Sequence, residues 1–205
     1  MNKKLFLTLF AVALCATAFF VSCNNENNTF EIHATNVRGW QLQDDIRIGS
    51  IATVKAKNHN RVVLAEAPFQ NYGFTLHLPN RLRNSLLEPT REQFPDMGIR
   101  RNVRDTALRL YAYNENGRRV GFLVFEGRGQ ESRIVTYWSY LNRNVVVIGY
   151  EKNERGWRTE VDFNLQRGWN ATYIGSKNDK TIFTTERPAG MTFNWIFYRA
   201  NEQNN

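Results

Sequence analysis

The chain has 205 residues, and its 27 lysines and arginines against 19 acids give a formal net charge of +8. The length favours a single globular domain, since even a 150-residue domain buries roughly 70% of its unfolded surface. The cations are mostly arginines interspersed with acids, which is typical of a solvated surface, and no recognisable nucleic-acid-binding motif accompanies them. We therefore expect no nucleic-acid partner.

Residues 1–22 have the order of a secretory signal peptide. Lys3 and Lys4 precede an apolar stretch over residues 5–21 that only two threonines interrupt, and Ser22 then precedes Cys23. The alternative is an uncleaved membrane helix, but this stretch is at the short limit of the roughly 17 to 25 residues that cross a bilayer, and no cationic stop follows. Cleavage is favoured, and it would leave 25 cations against 19 acids, a charge of +6.

Residues 20–23, Phe-Val-Ser-Cys, resemble the lipobox of bacterial lipoproteins, with phenylalanine in the place of the usual leucine as in the relaxed lipoboxes of Bacteroidetes. The resemblance implies that Cys23 is lipidated, that the peptide is cut before it, and that residues 23–29 form a polar tether. Two or more acyl chains hold a protein stably on a membrane. We expect a lipid-anchored protein of the cell envelope at the outer membrane. The sequence does not decide between the periplasmic face and the surface face of that membrane.

The chain has two cysteines, Cys15 in the apolar segment and Cys23 at the lipobox. After processing, neither a free thiol nor a disulfide would remain. This excludes thiol catalysis and cysteine-ligated zinc, so an exported domain of about 180 residues must be stabilised by its core.

Residues 30–200 are predicted to form one all-β domain, with a subdivision near 80–98 left open and a disordered tail over 201–205. Turn residues separate short apolar segments at the spacing of an antiparallel meander that forms a β-sandwich or a barrel. The predicted strands, in chain order, are 51–56, 62–66, 74–78, 108–113, 120–125, 134–140, 145–150, 159–165, 171–174, 182–185 and 193–198.

Two local features interrupt this pattern of strands. One short helix is predicted to begin at Asn80 after Pro79, with Leu82 and Leu86 on one face, and to end before residues 88–89, Glu-Pro. Glycines in the segment 127–129, Gly-Arg-Gly, favour a turn there.

The body of the chain carries a second resemblance. Residues 73–79, 137–149 and 165–173, with Thr184, Thr185 and Trp195, are similar to a group of uncharacterised Bacteroidetes lipoproteins over about residues 51–198. The resemblance implies a location in the cell envelope and an all-β fold. It implies no function, because the group has no assigned activity. The strands at 62–64 and 74–76 are also loosely similar to transthyretin-like modules.

No catalytic constellation emerges from the residues. The three histidines, His33, His59 and His77, lack the spacing of a zinc-binding helix. Glu160 and Asp162 share one face of an alternating strand, as two glycosidase carboxylates can, but the ordinary solvent face explains them better. We expect no enzyme, no metal and no cofactor.

Aromatic residues crowd the C-terminal half, and most of them should be core. A subset could line a ligand site for a glycan or a small amphiphile, with nearby arginines as polar contacts. The candidates are Trp138, Tyr140, Trp157 and Trp169. Residues 105–107, Asp-Thr-Ala, resemble the Bacteroidetes O-glycosylation motif, which makes Thr106 a candidate site. The alternative to a ligand-binding module is a structural or assembly protein that binds other envelope proteins.

Overall fold

The computed structural model describes residues 29–40, 47–89, 103–129, 132–152, 156–177 and 180–200. The fold is all-β, apart from a 3₁₀ turn at Asn84–Leu86 and a helical residue pair at 47–48. The described strands are β1 Phe30–Ala34, β2 Arg38–Gly39, β3 Thr53–Lys57, β4 Val63–Pro68, β5 Phe74–Leu78, β6 Glu88–Pro89, β7 Arg104–Ala107, β8 Arg109–Tyr113, β9 Arg119–Arg128, β10 Arg133–Leu141, β11 Val145–Lys152, β12 Arg158–Leu165, β13 Gly168–Lys177, β14 Lys180–Thr184 and β15 Thr192–Arg199.

One large sheet runs in the order β11-β12-β14-β13-β10-β9-β8-β3-β4, and β1 and β5 form a separate antiparallel pair. The strand β15 lies along the second edge of β9, and β2 adds to β15 in parallel. Most pairings are antiparallel, and β12 with β14 is the other parallel pair among the described strands. The path does not close on itself within the described residues, so the open sandwich is the better description of the two that the sequence allows.

The sheet divides where β9 and β10 separate. Those strands pair only near their connecting turn, where residues 125–128 face residues 136–133. Further from the turn, β8 takes the place of β10 beside β9, and β7 takes the place of β9 beside β10. The corner between β7 and β8 is held by a hydrogen bond from the Leu108 N–H to the Trp138 carbonyl at 2.8 Å. One chain segment therefore fills the gap between the two halves of the sheet.

The main core lies between the large sheet and the β1–β5 pair. Strand residues alternate between faces, and the inward set on β5, Phe74, Leu76 and Leu78, is buried against β15 and its neighbours. The Phe74 ring meets Trp195 edge-on at 5.2 Å, and the Trp195 indole N–H donates to the His33 carbonyl at 3.2 Å. The N-terminal strands thus cover the inner face of the C-terminal ones.

The eleven predicted strands are all present, with ends shifted by a few residues. The short strands β1, β2, β6 and β7 were not predicted, because their sequences show no long apolar alternation. The solvent face predicted for β12 is confirmed, since Asp162 and Asn164 are exposed.

The predicted helix from Asn80 is wrong in extent, since only the 3₁₀ turn at Asn84–Leu86 forms. Arg83, immediately before it, has extended backbone angles and makes no side-chain capping bond. Residues 88–89 then pair with β7, which keeps the chain extended.

The turn predicted at 127–129 is also displaced, because Gly127 and Arg128 lie inside β9. Gly127 is needed there for close packing, since a Cβ would come within 2.7 Å of the Phe193 ring.

The predicted signal peptide, Cys23 and the tail over 201–205 lie outside the described residues, and of the predicted tether only Thr29 lies within them. In the part of the chain that the structure describes, no helix has the length and apolar character needed to cross a membrane.

Candidate functional site

Three of the four aromatic residues predicted to contact a ligand lie in or against the core. Trp138 and Tyr140 are buried, and the Trp138 ring stacks on Trp195 at 5.4 Å. Trp169 is half-buried, meets Tyr140 edge-on at 5.4 Å, and donates its indole N–H to the Pro79 carbonyl at 2.9 Å. These rings already have protein partners, so their role in binding stays a prediction.

Trp157 is separate from these three. It is 40% exposed and donates its indole N–H to the Thr181 hydroxyl at 2.9 Å. It lies just before β12. In the sheet, β14 and β13 separate β12 from β10, the strand that carries Trp138 and Tyr140. The structure therefore does not bring the four predicted residues together into one site.

Thr106, the candidate glycosylation site, is buried on β7. Its hydroxyl lies 3.2 Å from Nδ1 of His59, whose Nε2 pairs with the Glu88 carboxylate. Carboxylate, imidazole and hydroxyl occur in this order in hydrolytic triads, but Thr106 is only 1% exposed and offers a substrate no approach. The same burial means that a glycan could be attached to Thr106 only before the chain folds.

A different group of aromatic residues forms a row on the outer face of the sheet. Trp40, Tyr198 and Phe122 stand at matching positions beside one another, since β2 pairs with β15 and β15 pairs with β9. The Trp40 and Tyr198 rings stack at 5.1 Å, and the Tyr198 and Phe122 rings at 5.2 Å. Trp40 is 43% exposed and Phe122 41%. Two large rings are thus held rigidly at the surface by stacking.

The same outer face of β9 carries Glu126, which is only 1% exposed. Its Oε1 accepts a hydrogen bond from Nε of Arg128 at 2.9 Å. Its Oε2 accepts from Nη2 of Arg133 at 2.7 Å and from the Tyr198 hydroxyl at 2.8 Å. Both carboxylate oxygens are therefore satisfied by charged or hydroxyl donors. We call Glu126, Arg128, Arg133, Trp40 and Tyr198, together with Phe122, the arginine-aromatic cluster.

The arginines of the cluster are held on both sides. The Arg128 guanidinium lies 4.0 Å from the centre of the Trp40 ring, and the Arg133 guanidinium lies 5.7 Å from both Trp40 and Tyr198. Cation–π contact of this kind contributes about 0.5 to 2 kcal/mol. The arginine side chains remain 50% and 52% exposed. Within the cluster, whose residues the structure describes, two cations thus stand against one buried anion.

The charges of the cluster are fixed near neutral pH. Burial alone would raise the pKa of Glu126, but hydrogen bonds from Arg133, Tyr198 and Arg128 outweigh it and lower that pKa below its usual value. Burial, and then the hydrogen bond to Glu126, raise the pKa of Tyr198 to about 12. Neither group exchanges a proton near pH 7, whereas a general acid or base needs a pKa near the working pH. Neither group therefore has a pKa suited to general acid or base catalysis near neutral pH.

The donors that remain point to the kind of ligand. A guanidinium carries five N–H donors. In the described residues, Nε of Arg128 and both Nε and Nη2 of Arg133 donate hydrogen bonds, Nη2 of Arg128 makes an ion-pair contact with Glu126, and no hydrogen bond is found from either Nη1. Guanidinium donors match carboxylate, sulfate and phosphate oxygens. The cluster presents donors for an anionic group beside exposed aromatic carbon.

Searches of protein-family models, curated proteins and solved structures find no match to this chain. The resemblances to Bacteroidetes lipoproteins and to transthyretin-like modules therefore stay predictions. The assignment of a site rests on the geometry of the cluster.

The cluster was missed in the sequence for a physical reason. Alternation along β9 places Glu126 and Arg128 on one face, but the predicted strand ended at residue 125 and a turn was expected at 127–129. The position of Trp40 depends on the parallel pairing of β2 with β15, which joins residues more than 150 positions apart. A two-residue strand leaves no signal from which such pairing can be deduced.

Proposed function

We propose that this chain is a non-catalytic binding module of the bacterial cell envelope, anchored by lipid at Cys23, that binds an anionic glycan through the arginine-aromatic cluster. The observation that carries the proposal is the combination of two half-exposed guanidinium groups, fixed by a buried carboxylate, with exposed rings beside them. Location at the outer membrane is part of the proposal, supported by the lipobox-like residues 20–23, and either face of that membrane is compatible with the site.

The recognition chemistry is as follows. A carboxylate or sulfate on a sugar accepts hydrogen bonds from Nη1 of Arg128 and Arg133, and the C–H groups of the sugar pack against the exposed parts of Trp40 and Phe122. Because stacking and the Glu126 carboxylate already hold the arginines in place, little side-chain entropy is lost when the ligand binds. A neutral sugar would bind less well, since it provides only the packing.

A small amphiphile with an anionic headgroup is the second ligand consistent with these residues. Its headgroup would use the same guanidinium donors, but its tail needs an apolar surface longer than the ring row. The glycan is favoured because the exposed surface of the cluster combines aromatic rings with guanidinium groups and is not a continuous apolar surface.

The test is a binding screen with the full chain in detergent micelles. The panel contains uronate-bearing, sulfated and neutral polysaccharides, together with vesicles of anionic phospholipid. We expect the anionic polysaccharides to bind with affinity that falls as salt rises, and the neutral ones to bind at least tenfold more weakly. Binding by vesicles alone would favour the amphiphile, and equal binding of neutral and anionic polysaccharides would contradict the proposal.

Variants locate the site. Arg128→Gln should fold, because Glu126 keeps Arg133 and Tyr198 as partners, and it should lose about ten- to hundredfold in affinity, since a charged hydrogen bond contributes about 1.5 to 3 kcal/mol. Arg158→Gln is the matched control, because Arg158 also lies over a ring, Tyr150 at 4.4 Å, and pairs with a glutamate. An equal loss in both variants would show that the effect of charge is not specific to the cluster.

A further inference from the structure

The strand β11 is an exposed edge of the large sheet. Among the strands that the structure describes it pairs only with β12, in eight consecutive antiparallel pairs without a bulge. On one face it carries Val146, Ile148 and Tyr150, which are 63%, 72% and 60% exposed. On the other face Val147 is buried against Val161. The strand thus offers both an unpaired backbone and an apolar face.

Edge strands of this kind are usually protected. Proteins shield a free edge with prolines, bulges, central charges or a covering segment, because the open backbone groups pair readily with another strand. In β11 the residues from Val145 to Tyr150 include no proline and no charge, and the charged residues stand only at its end, Glu151 and Lys152. The lack of protection over six residues is what an edge that serves for pairing would show.

The geometry of β11 restricts how a second copy of it could pair. In an antiparallel ladder, alternate residues direct their N–H and C=O groups to one neighbour, and the residues between them direct theirs to the opposite side. Two identical edges can therefore bond only when residues of the same parity face each other. In every such register the exposed residues Val146, Ile148 and Tyr150 meet the exposed face of the second copy.

One register suits the side chains best. If Ile148 faces Ile148 of the second copy, then Val146 faces Tyr150 and Tyr150 faces Val146. All three exposed apolar residues of each strand are then paired with one another. Moving the register by two residues in either direction sets Tyr150 against Asn144 or Val146 against Lys152. Cross-strand pairs of aromatic and β-branched residues contribute about 0.2 to 1 kcal/mol each.

Charge is also complementary in this register. Glu151 has a buried carboxylate oxygen, Oε1, for which no hydrogen-bond donor is found among the described residues. The register places Glu151 opposite Val145 of the second copy, two residues from the exposed Arg143 of that copy. The two-fold symmetry repeats the arrangement at the other end, and no like charges face each other.

We propose that two copies of this chain associate through antiparallel pairing of β11, centred on Ile148, to form one continuous sheet across a two-fold axis. The proposal is independent of the ligand, since the arginine-aromatic cluster lies on β9, β15, the first residue of β10 and the residue after β2.

The test is sedimentation equilibrium of the full chain in density-matched detergent, over a wide range of concentration. We expect the wild type to reach twice the mass of one chain, and Ile148→Lys to remain at the mass of one chain. Asp162→Lys is the control, because Asp162 is the partner of Ile148 on β12 and exposes its side chain on the same face, away from the edge. It should dimerise like the wild type, and far-ultraviolet circular dichroism confirms that each variant is folded.

The register has its own test. Val146→Glu and Tyr150→Lys should each weaken the dimer, and combining them should restore it, because each glutamate then faces a lysine of the second copy. A monomeric wild type at every concentration, a dimeric Ile148→Lys, or a loss of dimer in Asp162→Lys equal to that in Ile148→Lys would overturn the proposal. A double variant weaker than both single ones would overturn the register.

Discussion

Replacement of Glu126 by glutamine tests how the arginine-aromatic cluster is held together. The amide keeps the volume of the side chain but removes its charge. If its oxygen takes the place of Oε2, it keeps the hydrogen bonds from Arg133 and Tyr198, while its NH₂ group is set against the Nε–H donor of Arg128. The variant then loses the charge-assisted hydrogen bond from Arg128, and the bonds that remain are to a neutral oxygen.

The expected cost follows from burial. Breaking a buried ion pair costs about 3 to 5 kcal/mol, and a single hydrogen bond to a charged group contributes about 1.5 to 3 kcal/mol. Arg128 and Arg133 are half exposed, so water can solvate them again when the carboxylate is lost. We expect Glu126→Gln to lower the free energy of unfolding by about 2 to 3 kcal/mol.

The assay is urea unfolding followed by far-ultraviolet circular dichroism. Glu160→Gln is the control, because Glu160 also pairs with two cations, Lys180 and Arg158, but its side chain is 29% exposed. Exposed pairs contribute up to about 1 kcal/mol, so this control should change little. Because the pKa of Glu126 is lowered in the fold, its stabilisation is present above pH 4.5 and is lost as the pH falls through the lowered value. The reasoning would be refuted if both variants lowered the free energy of unfolding equally. It would also be refuted if the stability difference between the wild type and Glu126→Gln stayed constant as the pH falls below 4.5.

Three further predictions concern other parts of the chain. Since the pKa of Tyr198 is raised to about 12, stability should be full below pH 10 and decline between pH 10 and 12, and Tyr198→Phe should lack this part of the decline in unfolding titrations. Gly121→Ala should destabilise the fold by about 1 to 3 kcal/mol in urea unfolding, because a Cβ there meets the Tyr198 carbonyl and the Phe197 ring, and an unchanged midpoint would contradict the packing. Labelling with a clickable fatty acid should tag the wild type and spare Cys23→Ala, and a retained label would remove the lipid anchor from the account.

The sequence predicted the strands well because short apolar segments recur with turn residues between them. The segment 159–165 alternates between apolar and polar residues, and the structure exposes Asp162 and Asn164. The short strands have no such pattern in their own sequence. Residues 38–39 and 88–89 are extended because a neighbouring strand pairs with them, and only the folded chain brings those neighbours together.

The candidate site was less predictable than the fold. Trp138 was among the aromatic residues of the C-terminal half predicted to bind a ligand. It belongs to the core, because β1 and β5 cover its face of the sheet. Glu126 showed the opposite problem. The partners of a lone glutamate in an apolar strand cannot be predicted from the sequence. Only the fold brings Arg133, across the turn, and Tyr198, on a distant strand, to its carboxylate.

The central claim is that Arg128 and Arg133 receive the anionic group of a glycan. Side-chain ¹⁵N resonances of arginine, assigned by single Arg→Lys variants, test this directly during titration with a sulfated or uronate-bearing oligosaccharide. The account predicts that the guanidinium resonances of Arg128 and Arg133 shift in proportion to occupancy while those of Arg158 stay in place. Saturable binding that leaves the Arg128 and Arg133 resonances unmoved would contradict it.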